Sequence, residues 1–259
     1  RRVYWFSESH APRYGDSTAV LSGYGPFPGS YYELGVPAPV SQPVIEIIPA
    51  KDAEGKVIDH VALGHDPIYR SFTYTYVTDF GEESGPWLPA DGSAVPQHKM
   101  YEGDIVEITG MAPLTGNYPA TNGKINVYQT DLAGGFLRVK VLPMSASSTQ
   151  FVNTAVTGPI IRTALTMPPV AGMKGACLTS YGYMVGFKDS TVYLSDTYLY
   201  HSWPSTYAKP CKHKILRVFP SSQGAFVLTE GGPYLLIGTD PANTQLVQIE
   251  TDEVCTSAT

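Results

Sequence analysis

Basic residues are scarce in this chain. Lys and Arg number 17 against 23 Asp and Glu in 259 residues, a net charge of −6. The deficit is general: residues 1–65 hold five basic and seven acidic residues, 66–157 five and nine, and 158–259 seven of each. Tight nucleic-acid binding needs clustered cations that displace counterions, so no segment is built for it. The densest basic run, Lys209-Pro210-Cys211-Lys212-His213-Lys214, is short and reads as a solvated turn. Cysteine is equally sparse. Cys177, Cys211 and Cys255 form no CxxC pair, which excludes a zinc-ribbon pattern and a disulfide framework. Reduced thiols and folding in a cytoplasm are expected. There is no apolar run of 18 residues to make a membrane-spanning helix, and no signal-peptide pattern. The chain opens at Arg1 inside a strand-like run, which fits a fragment or a processed product. Also absent are the Gly-x-Ser-x-Gly elbow, the P-loop and the Rossmann fingerprint; Gly231-Gly232 reads as a hairpin turn.

What is abundant is turn chemistry and tyrosine: 25 Gly, 22 Pro and 18 Tyr. With few Ala/Leu/Glu/Lys-rich stretches, this composition points to many short strands joined by tight turns. Val3-Tyr4-Trp5-Phe6 reads as a buried strand. The Pro-rich stretch 23–43, which lacks the N–H groups a ladder needs, reads as an extended connector. Val44–Ile48 and Val57–Val61 flank Asp52-Ala53-Glu54-Gly55 and predict a hairpin. From Phe72 to Tyr76 aromatic residues alternate with Thr in strict period two. Strands follow at Asp104–Thr109, Lys124–Thr130 and Gly135–Leu142, the last two paired across residues 131–134. Short strands at this spacing predict a β-sandwich over 66–157. Beyond residue 169 a meander is expected: Tyr183–Phe187 with Thr191–Ser195, then Ile215–Phe219, Ala225–Thr229 and Pro233–Ile237. Consecutive strands with short turns build four-stranded antiparallel blades, the repeating unit of a β-propeller.

The pattern Trp5-Phe6-Ser7-Glu8-Ser9 returns as Tyr193-Leu194-Ser195-Asp196-Thr197, on either side of the sandwich-like block. The expected fold class is therefore all-β, with propeller-like parts at 1–65 and 158–259 and a sandwich inserted at 66–157. The propeller-like parts hold enough chain for three or four blades at about 40–45 residues each. A ring takes four or more, so open edges are expected to be covered by further polypeptide or by neighbours.

Tyr74-Thr-Tyr-Val-Thr-Asp-Phe-Gly-Glu-Glu-Ser-Gly-Pro86, Ile125–Thr130 and Phe151-Val-Asn-Thr154 resemble a fibronectin type III-like module of the kind embedded in tailed-phage virion proteins. Leu34-Gly-Val-Pro-Ala-Pro39 upstream fits the same group. So do Val192-Tyr-Leu-Ser-Asp-Thr-Tyr-Leu-Tyr-His-Ser-Trp-Pro204 and Leu228-Thr-Glu-Gly-Gly-Pro-Tyr-Leu-Leu-Ile-Gly-Thr-Asp-Pro241 downstream. In this order along residues 1–255 they resemble the β-propeller tail tubular or nozzle proteins of tailed phages, which continue beyond the position of Cys255. The resemblance implies a virion tail protein assembled in the host cytoplasm. It implies self-association into a ring, commonly a hexamer, around a channel. It also implies contacts with adaptor and fibre proteins, and DNA met only in passage. The propeller is expected to form a rigid wall and the insertion to project outward. The resemblance implies no catalysis, no cofactor and no membrane anchor.

Other readings of single residues compete with structural ones. His60, His65 and Asp66 are metal-ligand types, but His60 reads as strand and His65 as loop, so nothing fixes a common geometry. Glu82-Glu83 are paired acids, yet adjacent residues of an extended segment point to opposite faces. Ser195-Asp196 followed by Trp203 is similar to the Asp-box turn of sialidase propellers without its Gly. It reads as a structural turn, with Trp203-Pro204 plugging a blade. The row Phe72-Tyr74-Tyr76 fits a buried sandwich face or a sugar-stacking surface, and Tyr31, Tyr32 and Tyr118 are candidates for subunit contacts. No catalytic, cofactor-binding or metal residue is assigned. The alternatives to a conduit are a receptor- or carbohydrate-binding virion protein and a degenerate polysaccharide-active enzyme.

Overall fold

A computed structural model of the chain describes residues 2–17 and 31–251. It is almost all β, as the composition predicts, and divides into two compact units. The first unit comprises Arg1–Pro37, Gly116–Tyr118 and Leu165–Thr259; the second comprises Ala38–Thr115 and Pro119–Ala164. The first begins with β1 (Arg2–Ser7), β2 (His10–Asp16) and β3 (Tyr32–Glu33), a three-stranded sheet in that order. The second contains β4 (Val44–Ile48), β5 (Ile68–Val77), β6 (Gln97–Met100), β7 (Ile105–Thr109), β8 (Lys124–Thr130), β9 (Phe136–Pro143) and β10 (Thr149–Val152). The chain then returns to the first unit. It adds β11 (Gly175–Leu178), β12 (Met184–Lys188), β13 (Thr191–Leu194) and β14 (Lys209–Pro210) as one antiparallel meander. A second meander is formed by β15 (Ile215–Ser221), β16 (Gly224–Thr229), β17 (Gly232–Ile237) and β18 (Gln245–Gln248).

The second unit is a seven-stranded, two-sheet sandwich with orders β10-β7-β4 and β6-β5-β8-β9. Its sheets face one another where Phe72 meets Phe151, ring centroids 6.2 Å apart. The aromatic row of β5 is core: Phe72, Tyr74 and Tyr76 are buried. Tyr74 donates to the Ser41 carbonyl at 2.9 Å and Tyr76 to the Ala112 carbonyl at 2.8 Å. The Thr face of the same strand is buried as well, because the segment around residues 82–87 lies over it and Thr73 donates to the Trp87 carbonyl.

Four expectations are corrected here. The hairpin of Val44–Ile48 with Val57–Val61 does not form. β4 pairs instead with β7, setting Ile45 opposite Ile108 and Ile47 opposite Val106. Residues 57–61 contribute only a bridge from Val57 to Lys51 before a turn. Apolar matching across a buried face outweighs the shorter loop, since a register that exposed those side chains would forfeit their burial. For the same reason the sandwich unit begins at Ala38 rather than residue 66, and it runs on to Ala164. Within it β4 lies beside β7, and β8 lies between β5 and β9. β1 is also not buried: it is an edge strand, exposed at Arg2 and Val3. Of the Pro-rich stretch, residues 23–30 lie outside the described residues; Tyr32–Glu33 pair with β2 as β3, against the expectation of a connector without ladder bonds, and 34–43 belong to no strand.

In the first unit the three sheets pack face to face. One face of β12 and β13 presents Val185, Phe187, Val192 and Leu194 to Ile215, Val218, Ala225, Val227, Tyr234 and Leu236 of the last meander. The opposite face presents Met184, with Met173 and Trp203, to Tyr4 and Phe6 of β1. The middle sheet is therefore covered on both sides, and β12 is buried along Met184–Phe187. Each large apolar side chain so covered contributes about 1.5–3 kcal/mol. Leu34 and Val36 are both buried, and between them Gly35 has φ +82°. A Cβ there would lie 2.6 Å from Pro168 Cα and 2.9 Å from the His201 carbonyl oxygen, so the Leu-Gly-Val sequence marks a close approach of two backbone segments.

Candidate functional site

The histidines singled out in sequence do meet. His60 lies in the turn at 60–64 rather than in a strand, and the turn closes through the His65 N–H to the His60 carbonyl at 2.9 Å. The two Nδ1 atoms are 2.9 Å apart, so one ring donates and the other accepts. His60 is buried, stacked on Tyr101 at 4.6 Å and 2°, with Nε2 3.7 Å from Asp104 Oδ1. Asp104 accepts from the N–H groups of Ala50 at 2.9 Å and Tyr101 at 2.7 Å. The carboxylate in this cluster is thus Asp104, while Asp66 is on the surface. Among the described residues no group of three or more His, Cys, Asp or Glu is placed to hold a metal ion.

Glu82 and Glu83 do not form an acid pair across a cleft. Glu82 is buried and its N–H donates to Thr78 Oγ1 at 3.2 Å. Glu83 Oε1 accepts three hydrogen bonds, from Thr75 Oγ1 at 2.5 Å, Tyr128 OH at 2.7 Å and Asn126 Nδ2 at 2.9 Å. Burial, and then this carboxylate, push the Tyr128 hydroxyl well above the ordinary tyrosine range. A carboxylate oxygen already holding three donors is a structural hub of the sandwich. A signal for it existed in sequence: Asn126 and Tyr128 are two apart, so both point from one face of β8.

Ser195 and Asp196 close a blade turn. Ser195 is fully buried; its Oγ accepts from the Met184 N–H at 2.9 Å and donates to the Asp196 carbonyl at 2.9 Å. Asp196 receives Ser202 Oγ at 2.5 Å, and its N–H donates to the Ser202 carbonyl at 2.8 Å. The Tyr207 hydroxyl is pushed up to about 12 by burial and by its bond to Asp196. Trp203 is buried, with Nε1 donating to the Tyr200 carbonyl at 2.8 Å, the plug read from sequence. Trp5-Phe6 and Tyr193-Leu194 both end strands before turns, one on an edge strand and one on an inner strand.

The tyrosines considered for subunit contacts are half-buried instead. Tyr31 lies under the Arg13 guanidinium at 3.9 Å, and Tyr118 is raised by burial and by its bond to Glu33. Cys177 and Cys211 are free, and burial pushes each thiol up to about 11. Cys255 lies outside the described residues. The larger hollows are open. One of 630 Å³ in the second unit is lined by Thr121, Lys124, Val141, Leu142 and Met144. One of 580 Å³ in the first lies where β11 and β15 run side by side, with Lys174, Lys214 and Arg217 around it and Lys174 paired to Glu8. Burial also removes the Phe72-Tyr74-Tyr76 row as a sugar platform. What the residues build most completely is a stack of sheets held by buried polar clamps. The sequence matches no protein-family model and no curated protein.

Proposed function

We propose that this chain is a structural protein of a tailed-phage tail, a tubular or nozzle-type subunit that associates into a ring around the path of the ejected DNA. The observation that carries this reading is the first unit. Its antiparallel meander sheets pack face to face in chain order, the middle one covered on both sides, and β11 lies beside β15. Successive blades of a β-propeller pack in this way. The sequence resemblance to propeller tail proteins with an embedded module supports it. The second unit is compatible with the embedded module in its seven-strand, two-sheet architecture. A net charge of −6 suits a conduit that lets DNA pass without holding it. On this reading the wall is passive, and the second unit offers a separate surface for neighbouring tail proteins. The test is immunogold electron microscopy on particles of the source phage. Label at the lower tail is the expected result. Label on fibres would favour receptor binding, and particles free of the protein would overturn the reading.

A further inference from the structure

The crossover from β4 to β5, residues 49–67, carries the chain from one sheet of the sandwich to the other. It runs over the surface, with Val61 and Leu63 well exposed. Among the described residues of this crossover, His60 alone is buried. A loop held down by an imidazole is held by the side chain that gains charge near neutral pH.

Three groups surround the His60 ring. Its face stacks on Tyr101, with centroids 4.6 Å apart. Its Nε2 is buried, 3.7 Å from Asp104 Oδ1 and without a hydrogen bond among the described residues. Its Nδ1 meets Nδ1 of His65 at 2.9 Å, and the two ring centroids are 5.2 Å apart. That centroid distance is the gap plus the radius of each ring, so the nitrogens meet head on. Lone pairs aligned in this way converge on no third point where a metal ion would sit. The axis between them has room for one proton. Asp104 decides which ring supplies it. A bare Nε2 lone pair would face a buried carboxylate, so His60 keeps its proton on Nε2 and accepts at Nδ1, while His65 donates.

One added proton is tolerated. It enters at Nε2 of the exposed His65, and the Nδ1–H still donates, now as a charge-assisted bond. A second added proton is not. It puts an N–H on both Nδ1 atoms, removes the acceptor and sets two cations face to face, so His65 must turn out to solvent. The charged groups on the packed segments are Asp59 and Asp66 of the crossover, Lys51 beside Ala50, and Lys99, Glu102 and Asp104 around Tyr101. None of them lies on the Nδ1–Nδ1 axis, where the two nitrogens are in direct contact.

We propose that His65 is an acid-released latch on the 49–67 crossover, closed on His60 while the pair holds at most one extra proton and freed by the second. The latch lies within the second unit, so it stands or falls whether or not the protein belongs to a virion.

The experiment is hydrogen exchange of the full chain from about pH 7.5 to about pH 5, a window that spans the ordinary histidine range and stops above that of carboxylates. Exchange is read on peptides covering 58–67 and expressed as protection, which removes its intrinsic pH dependence. The reporters are the amides of Ala62, Leu63, Gly64 and His65, each hydrogen-bonded within the turn. Their protection is expected to fall about two- to tenfold toward the acid end, the range that one lost hydrogen bond covers, while peptides of β5 and β8 keep theirs. His65→Ala removes the latch at an exposed position and should fold. His60→Phe keeps a ring on Tyr101 without the Nδ1 acceptor. Both variants are expected to lack the acid step. A wild type whose protection stays flat overturns the proposal. So does a step that persists in His65→Ala, because the titrating group would then lie elsewhere.

Discussion

Replacing Glu83 by Ala tests the polar hub of the sandwich. The substitution leaves Thr75 Oγ1, Asn126 Nδ2 and Tyr128 OH without their shared acceptor. All three residues are buried. A buried donor stripped of its partner costs about 1–3 kcal/mol. With water entering beside the half-buried Glu83 site, the sum falls to about 3–5 kcal/mol rather than three full penalties. For a unit of this size that lowers the melting temperature by about 10–25 °C. Glu83→Gln keeps one acceptor oxygen for the three donors while losing the charge and exchanging the second oxygen for an NH2 group, so its cost should be about 1–2 kcal/mol. The assay is calorimetry of the full chain, with hydrogen exchange of peptides from β5 and β8 to assign the transition. An Ala variant within about 1 kcal/mol of wild type, with β8 protection unchanged, would refute the hub argument.

Further outcomes follow from other buried groups. Arg70 is buried on β5 with Nε and Nη1 unbonded, so Arg70→Met is expected to raise stability by about 1–3 kcal/mol in denaturant titration; a loss would show that the guanidinium is compensated. Gly35→Ala forces a left-handed backbone on alanine and drives its Cβ into the Pro168 and His201 backbone, so a loss of about 2–4 kcal/mol is expected in thermal unfolding of the first unit. The hydroxyls of Tyr183 and Tyr207 are both pushed up to about 12, chiefly by burial. Raised folded values make their contribution full below the unfolded value of about 10 and lost as pH climbs toward 12, so stability should fall through that window and tyrosinate absorbance should rise with unfolding rather than before it. Cys177 and Cys211, each raised to about 11 by burial, should alkylate slowly at neutral pH until denaturant is added; rapid labelling located at either of these two residues by peptide mass mapping would contradict their burial.

Local pattern was enough for much of this fold. The period-two row at Phe72–Tyr76, the turns at Asp131–Gly134 and Gly231-Gly232, and the meander from Tyr183 to Ile237 are all short-range features, and each lies where the sequence indicates. Strand alternation and turn chemistry need only neighbours, so a single chain displays them. The partner of β4 was not legible. Val57–Val61 was the nearer and equally apolar candidate, and only the burial of Ile45 against Ile108 and Ile47 against Val106 selected β7. The same holds for the Glu83 hub and the His60–His65–Asp104 cluster. Their members come from separate strands and turns, and their hydrogen bonds depend on distances set when the sheets close. Sequence by itself determined the all-β class and the positions of the strands with the clearest alternation, such as β5, β8, β12, β16 and β17, because these follow from side-chain period and backbone propensity. Tertiary structure alone decided which strand each face covers and which polar groups share a partner, because burial is a property of the assembled sheets and not of any one segment.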